Sequence, residues 1–139
     1  MMTRHPSRWF LAIVAFAVAL GAAAADRHAT ILVVGDSISA GYGFAPGSGW
    51  TTLLAKRLAD EHAAYDVVNA SISGDTTAGG RSRLPALLSQ HRPAIVVIEL
   101  GGNDGLRGGD LAATRANLDA MISAAMGAHA KVVLIGMQL

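Results

Sequence analysis

Four short runs of aliphatic and β-branched residues mark the chain: Thr30–Val34 (TILVV), Asp66–Ala70 (DVVNA), Ala94–Leu100 (AIVVIEL) and Lys131–Ile135 (KVVLI). Runs of this length, closed by Gly or Ser, predict buried strands. The third is apolar on both faces and is expected to lie centrally. Between the runs, apolar residues recur at helical spacing. Gly49–Leu58 carries Trp50, Leu53, Leu54 and Leu58. Asp110–Met126 turns Leu111, Leu118, Met121, Ile122 and Ala125 inward, with Asp110 as N-cap and Gly127 as C-cap. Thr77–Gln90 is helical too, with a break or restart expected at Pro85, a residue suited to a first helical turn. Apolar strands alternating with helices imply a parallel sheet covered on both faces.

Ahead of the first strand the pattern changes. Arg4 and Arg8 precede the apolar run Trp9–Leu20 (WFLAIVAFAVAL), and the small residues Gly21–Ala25 precede Asp26. This is the layout of a secretory signal, with Ala23 and Ala25 where a signal peptidase reads. A retained anchor needs about 20 apolar residues, a length that residues 9–25 reach only if their Ala-rich end is counted. Residues 1–25 are therefore expected to be a cleaved signal peptide and 26–139 one mature domain, periplasmic or secreted, with no stable membrane span.

Composition narrows the chemistry. A chain of 139 residues holds one ordinary domain. Its 52% hydrophobic content and net charge of +1 exclude a disordered polymer. Removing Arg4 and Arg8 leaves 9 basic against 10 acidic residues, so nucleic acid finds no electrostatic footprint. The absence of cysteine excludes disulfides, thiolate metal sites and a cysteine nucleophile.

In open parallel sheets, ligands bind beyond the carboxyl ends of the strands. The loops there read Gly35-Asp36-Ser37-Ile38-Ser39-Ala40-Gly41, Ser71-Ile72-Ser73-Gly74-Asp75-Thr76 and Gly101-Gly102-Asn103-Asp104-Gly105. Phosphate binding is disfavoured: the first loop lacks the G-x-x-x-x-G-K-[ST] pattern, and Gly41-Tyr42-Gly43 comes too late for a dinucleotide turn. Gly-rich turns that are purely structural remain open for any one loop alone. Nucleophilic catalysis by Ser37 is the third reading. It sits just past a strand end, where a helix can begin and aim its hydroxyl into the crevice, although the G-x-S-x-G elbow is absent.

These three segments resemble the three conserved blocks of the SGNH (GDSL-type) hydrolases. Gly35–Tyr42 is similar to the first block. Asn69–Thr76 is similar to the second, with Gly74 as its key glycine, and Gly101–Asp104 to the third, with Asn103 as its key asparagine. Arg83–Leu88 and Gly105–Gly108 further resemble the thioesterase, lysophospholipase and arylesterase group of that family. The likeness spans residues 30–139. It implies a three-layer α/β/α sandwich with a flavodoxin-like parallel sheet and no metal or cofactor. The implied substrates are small acyl esters, thioesters or lysophospholipids. It implies Ser37 as nucleophile, with the Ser37 N–H, the Gly74 N–H and the Asn103 side-chain amide as the oxyanion hole. Asp36 is expected to brace the turn rather than to act on substrate.

One departure stands out. The family's late D-x-x-H block, which supplies the general base, is absent. His28, His62, His91 and His129 precede strands and are expected on the opposite edge from Ser37. The chain is therefore expected to lack the family's last strand and helix and to be inactive, or nearly so. A non-catalytic acyl- or carbohydrate-binding fragment is the alternative, and a carbohydrate deacetylase is another within the family. Asn69-Ala70-Ser71 forms a glycosylation sequon by coincidence, at an expected buried strand end.

Overall fold

The computed structural model describes residues 28–136. The expected signal peptide over 1–25 and the final residues 137–139 lie outside that range. Strands β1 (Ala29–Gly35), β2 (Tyr65–Asn69), β3 (Ile95–Glu99) and β4 (Lys131–Leu134) pair in parallel in the order β2-β1-β3-β4. Each observed strand lies within two residues of its expected position. Val33 pairs with Asn69 and Gly35 with Glu99. That register brings the carboxyl ends of β1, β2 and β3 level, so the loops that follow them leave from one rim.

Among the described residues five helices accompany the sheet: α1 (Ser37–Ala40), α2 (Trp50–Asp60), α3 (Thr77–His91), α4 (Gly102–Leu106) and α5 (Leu111–Gly127). Side chains alternate across the pleat, which divides the core in two. Leu32, Val34, Val96 and Ile98 face one layer and pack with Leu84 and Leu88 of α3 and Met121 and Ala125 of α5. Ile31, Val33 and Val97 face the other, where Trp50 and Leu58 of α2 cover them. This is the expected three-layer α/β/α sandwich around a parallel sheet.

Several local expectations need correction. α3 runs unbroken through Pro85. Pro85 and Arg81, four residues earlier, both lie on the exposed face, so the carbonyl that loses its partner can turn to water. Leu111 is 76% exposed rather than inward. It occupies the first turn of α5, above the rim, where no described element covers it. Leu53 is also exposed, to one side of the stripe formed by Trp50, Leu54 and Leu58. Gly127 is the last residue of α5 and not its cap. Ala128 caps the helix, and His129 takes the left-handed conformation, φ 64°. β4 is a sheet edge whose Val133 and Leu134 stay exposed.

Candidate active site

The chain turns into α1 directly at the end of β1. Asp36 makes that possible as N-cap: its Oδ1 accepts the Ile38 N–H at 3.0 Å. Gly41, at φ 78°, stops the helix after one turn. Ser37 is thus the first helical residue, half-buried, with an N–H that meets no acceptor among the described residues.

The second loop runs beside the first. The Ala70 N–H donates to the Val33 carbonyl at 2.9 Å, and the Ile72 N–H to the Gly35 carbonyl at 3.0 Å, extending the β1–β2 pairing past the strand ends. Gly74 follows at φ 80°, a backbone conformation costly for any residue with a Cβ. Its carbonyl accepts from Arg107 Nη2 at 2.9 Å. Arg83 secures the same loop from α3, donating through Nε to Asp75 Oδ2 at 2.8 Å and through Nη1 to the Ala70 carbonyl.

Asn103 joins the loops. Its Nδ2 donates to Asp36 Oδ2 at 3.1 Å and to the Asp75 carbonyl at 2.9 Å. Asp36 precedes Ser37 and Asp75 follows Gly74, so one side chain spans the immediate neighbours of both. Asp104 fixes the third loop to the helices. Its carboxylate accepts the Thr77 N–H at 2.9 Å and the Thr77 hydroxyl at 2.5 Å, taking hold of the first turn of α3. Ser37, Gly74 and Asn103 therefore share one rim, on elements tied together by side-chain hydrogen bonds.

The described histidines do not share it. His91 ends α3, and His62 and His129 lie between a helix and the next strand, which puts the three at the amino ends of β3, β2 and β4. His28 precedes β1 and pairs with Asp66 at 3.0 Å. Asp36 holds a cap and an amide, as a bracing residue does.

Sequence reading passed over a group beneath the nucleophile turn. Ser39 and Glu99 are both buried. Ser39 Oγ donates to Glu99 Oε2 at 2.7 Å and accepts from Trp50 Nε1 at 3.2 Å. The Ser39 carbonyl accepts from Asn69 Nδ2 at 2.7 Å. Burial pushes the Glu99 carboxyl above its ordinary value, the Ser39 hydrogen bond opposes that, and the Asp36 charge adds to it. Among the described residues Glu99 Oε1 has no hydrogen-bond partner of normal geometry. The signal was present: Glu99 is the one charged residue in an apolar strand. Asn69, by contrast, is exposed rather than buried, yet its Nδ2 also donates to Thr51 Oγ1 at 3.1 Å, so both amide hydrogens of the sequon residue are engaged.

A parallel α/β/α protein whose chemistry-bearing residues meet at the carboxyl rim, with a serine at the start of the first helix, has the layout of a hydrolase of the serine type. The profile of the GDSL-like lipase/acylhydrolase family matches residues 33–139, and the chain belongs to that family. It is 62% identical to Esterase TesA of Pseudomonas aeruginosa over 110 residues, covering 79% of this chain and 55% of that protein. It is 46% identical to thioesterase 1/protease 1/lysophospholipase L1 of Escherichia coli strain K12 over 118 residues, covering 85% of this chain and 54% of that one. The chain thus spans about half the length of these curated relatives. The crystal structure of TesA superposes with a TM-score of 0.78 at 62% identity, over 79% of this chain and 61% of that one. That of AlinE4, an SGNH-hydrolase family esterase, gives 0.74 at 36% identity, over 79% and 59%.

Proposed function

We propose that this chain carries the nucleophile and oxyanion hole of an exported hydrolase acting on acyl esters or thioesters. The observation that carries the reading is Asn103, whose amide reaches the residues flanking both Ser37 and Gly74. Ser37 Oγ attacks the acyl carbonyl carbon, and a general base takes the hydroxyl proton. The carbonyl oxygen, now an oxyanion, meets the unengaged N–H groups of Ser37 and Gly74. Asn103 supplies the third donor by turning the hydrogen now held at 3.1 Å by Asp36. Collapse expels the alcohol or thiol, which takes the proton back from the base. Water then cleaves the acyl-serine by the same steps.

The described histidines stand on the opposite edge of the sheet, so these residues alone leave Ser37 protonated and its attack slow. Oxyanion stabilisation without a base is worth only about 1000- to 10000-fold over water in a well-studied serine protease. The leader-like pattern of residues 1–25, with Arg4 and Arg8 ahead of the apolar run Trp9–Leu20, supports export. The names of the relatives, esterase, arylesterase and thioesterase, support the substrate class.

Covalent capture of Ser37 tests the reading. A fluorophosphonate probe should label the 139-residue chain slowly, and Ser37→Ala should remove that label entirely. Labelling that survives in the variant rejects Ser37. Rapid, Ser37-dependent turnover of p-nitrophenyl esters by this chain rejects the missing-base argument.

A further inference from the structure

We propose that Glu99, acting through Ser39, is the positioning residue that sets the nucleophile turn. The proposal rests on the reading of Ser37 as nucleophile. It draws on a buried polar group that the chemistry above does not use.

α1 is too short to hold itself. A helix of this length has almost no internal hydrogen bonding to offset its nucleation cost. Something outside must fix the direction in which Ser37 points. Ser39 is the only residue of α1 that is buried. Three elements converge on it: β3 through Glu99, α2 through the Trp50 indole, and β2 through the Asn69 amide. Gly35 completes the fit from β1. A Cβ there would lie 2.6 Å from Ser39 Oγ and 2.9 Å from Glu99 Oε2, so only glycine leaves room for the contact.

The arrangement costs stability. Among the described residues Glu99 has no cationic partner and its Oε1 no hydrogen bond of normal geometry, although the nearby backbone of Asp36 and Ser39 favours its charged form; a leucine of similar size would need no partners at all. Burying a polar group without a full set of partners is unfavourable. A costly buried group placed directly below this turn fits a role in holding geometry. Misplacing a reacting group by about 1 Å can cost about 100-fold in rate, so an anchor two residues from the nucleophile has leverage.

Three variants of the 139-residue chain test this: Glu99→Leu, Glu99→Gln and Ser39→Ala. Two readouts apply. One is the rate of fluorophosphonate capture at Ser37. The other involves no chemistry: hydrogen exchange at the Ala40 and Tyr42 amides, which donate to the Asp36 and Ser37 carbonyls and close the turn. Glu99→Leu should slow capture about 10- to 100-fold and accelerate exchange at those two amides, while its melting temperature holds or rises. Glu99→Gln keeps an acceptor for Ser39 and should restore both. Adding Glu99→Leu to Ser39→Ala should cost nothing beyond Ser39→Ala alone, because Ser39→Ala already removes the Glu99 link together with the one to Trp50.

A Glu99→Leu chain that melts earlier, with capture per folded molecule and local exchange unchanged, overturns the proposal. So does full additivity in the double variant. If Ser37→Ala is still labelled, the nucleophile assignment fails, and the exchange readout alone decides whether Glu99 holds the turn. If Glu99→Leu does not fold, Ser39→Ala and Glu99→Gln carry the same two measurements, and unchanged exchange in Ser39→Ala overturns it.

Discussion

The two rims of the sheet are built differently. At the amino rim each helix-to-strand turn contains a non-glycine residue in the left-handed region: His62 at φ 53°, Arg92 at φ 43° and His129 at φ 64°. These are plain helix stops, largely exposed, held mostly by backbone hydrogen bonds such as the His129 N–H to the Met126 carbonyl. At the carboxyl rim the left-handed positions are glycines, Gly41, Gly74 and Gly101, and side-chain hydrogen bonds join different elements there in addition to the backbone ones. A left-handed non-glycine residue costs about 1–2 kcal/mol. The amino rim absorbs that cost because little depends on the shape of its turns. The carboxyl rim leaves its backbone bare at those glycines, as the proposed oxyanion hole requires, and cross-braces those turns from below.

The sharpest test of this contrast is Asn103→Ala. It should lower Ser37-dependent acylation about 100- to 1000-fold, the usual effect of losing one oxyanion donor, while far-ultraviolet dichroism stays native. A loss below tenfold would place Asn103 in bracing alone.

A smaller effect concerns acid–base balance. The Glu99 carboxyl is pushed above its ordinary value of 4.5 by burial. The folded state then holds this proton more tightly than the unfolded one. Stability from this group is complete below pH 4.5 and declines as pH rises through the raised folded value. Glu99→Gln cannot ionise, so its melting temperature relative to wild type should climb across that window and level off above it. Parallel melting curves at all pH values would show that Glu99 ionises as freely folded as unfolded.

The smallest effect belongs to the amino rim. His129→Gly relieves a left-handed Cβ and should stabilise the fold by up to about 1 kcal/mol, offset in part by the greater freedom of glycine unfolded. Capture at Ser37 should not change. An effect on capture would mean that the two rims are coupled.

Much of this was legible in the chain. The four strands are locally distinctive because a strand buried on both faces needs an unbroken apolar run, and each fell within two residues of its place. The rim loops were legible through their Gly, Ser and Asn content, which few other settings require together. Pro85 was misread because its cost depends on whether the freed carbonyl meets water. Leu111 was misread because periodicity gives a helix face and not what lies beneath it.

Sequence alone determined the layer order, the parallel sheet and the rim on which Ser37, Gly74 and Asn103 sit, since each follows from local periodicity and chain order. Tertiary structure decided the partners: Asn103 with Asp36, Asp104 with Thr77, and Ser39 with Glu99, which lie 60 residues apart. Hydrogen bonding over such separations depends on register and on how strands stack side by side. No local pattern encodes it, because the same side chains would serve equally well facing water.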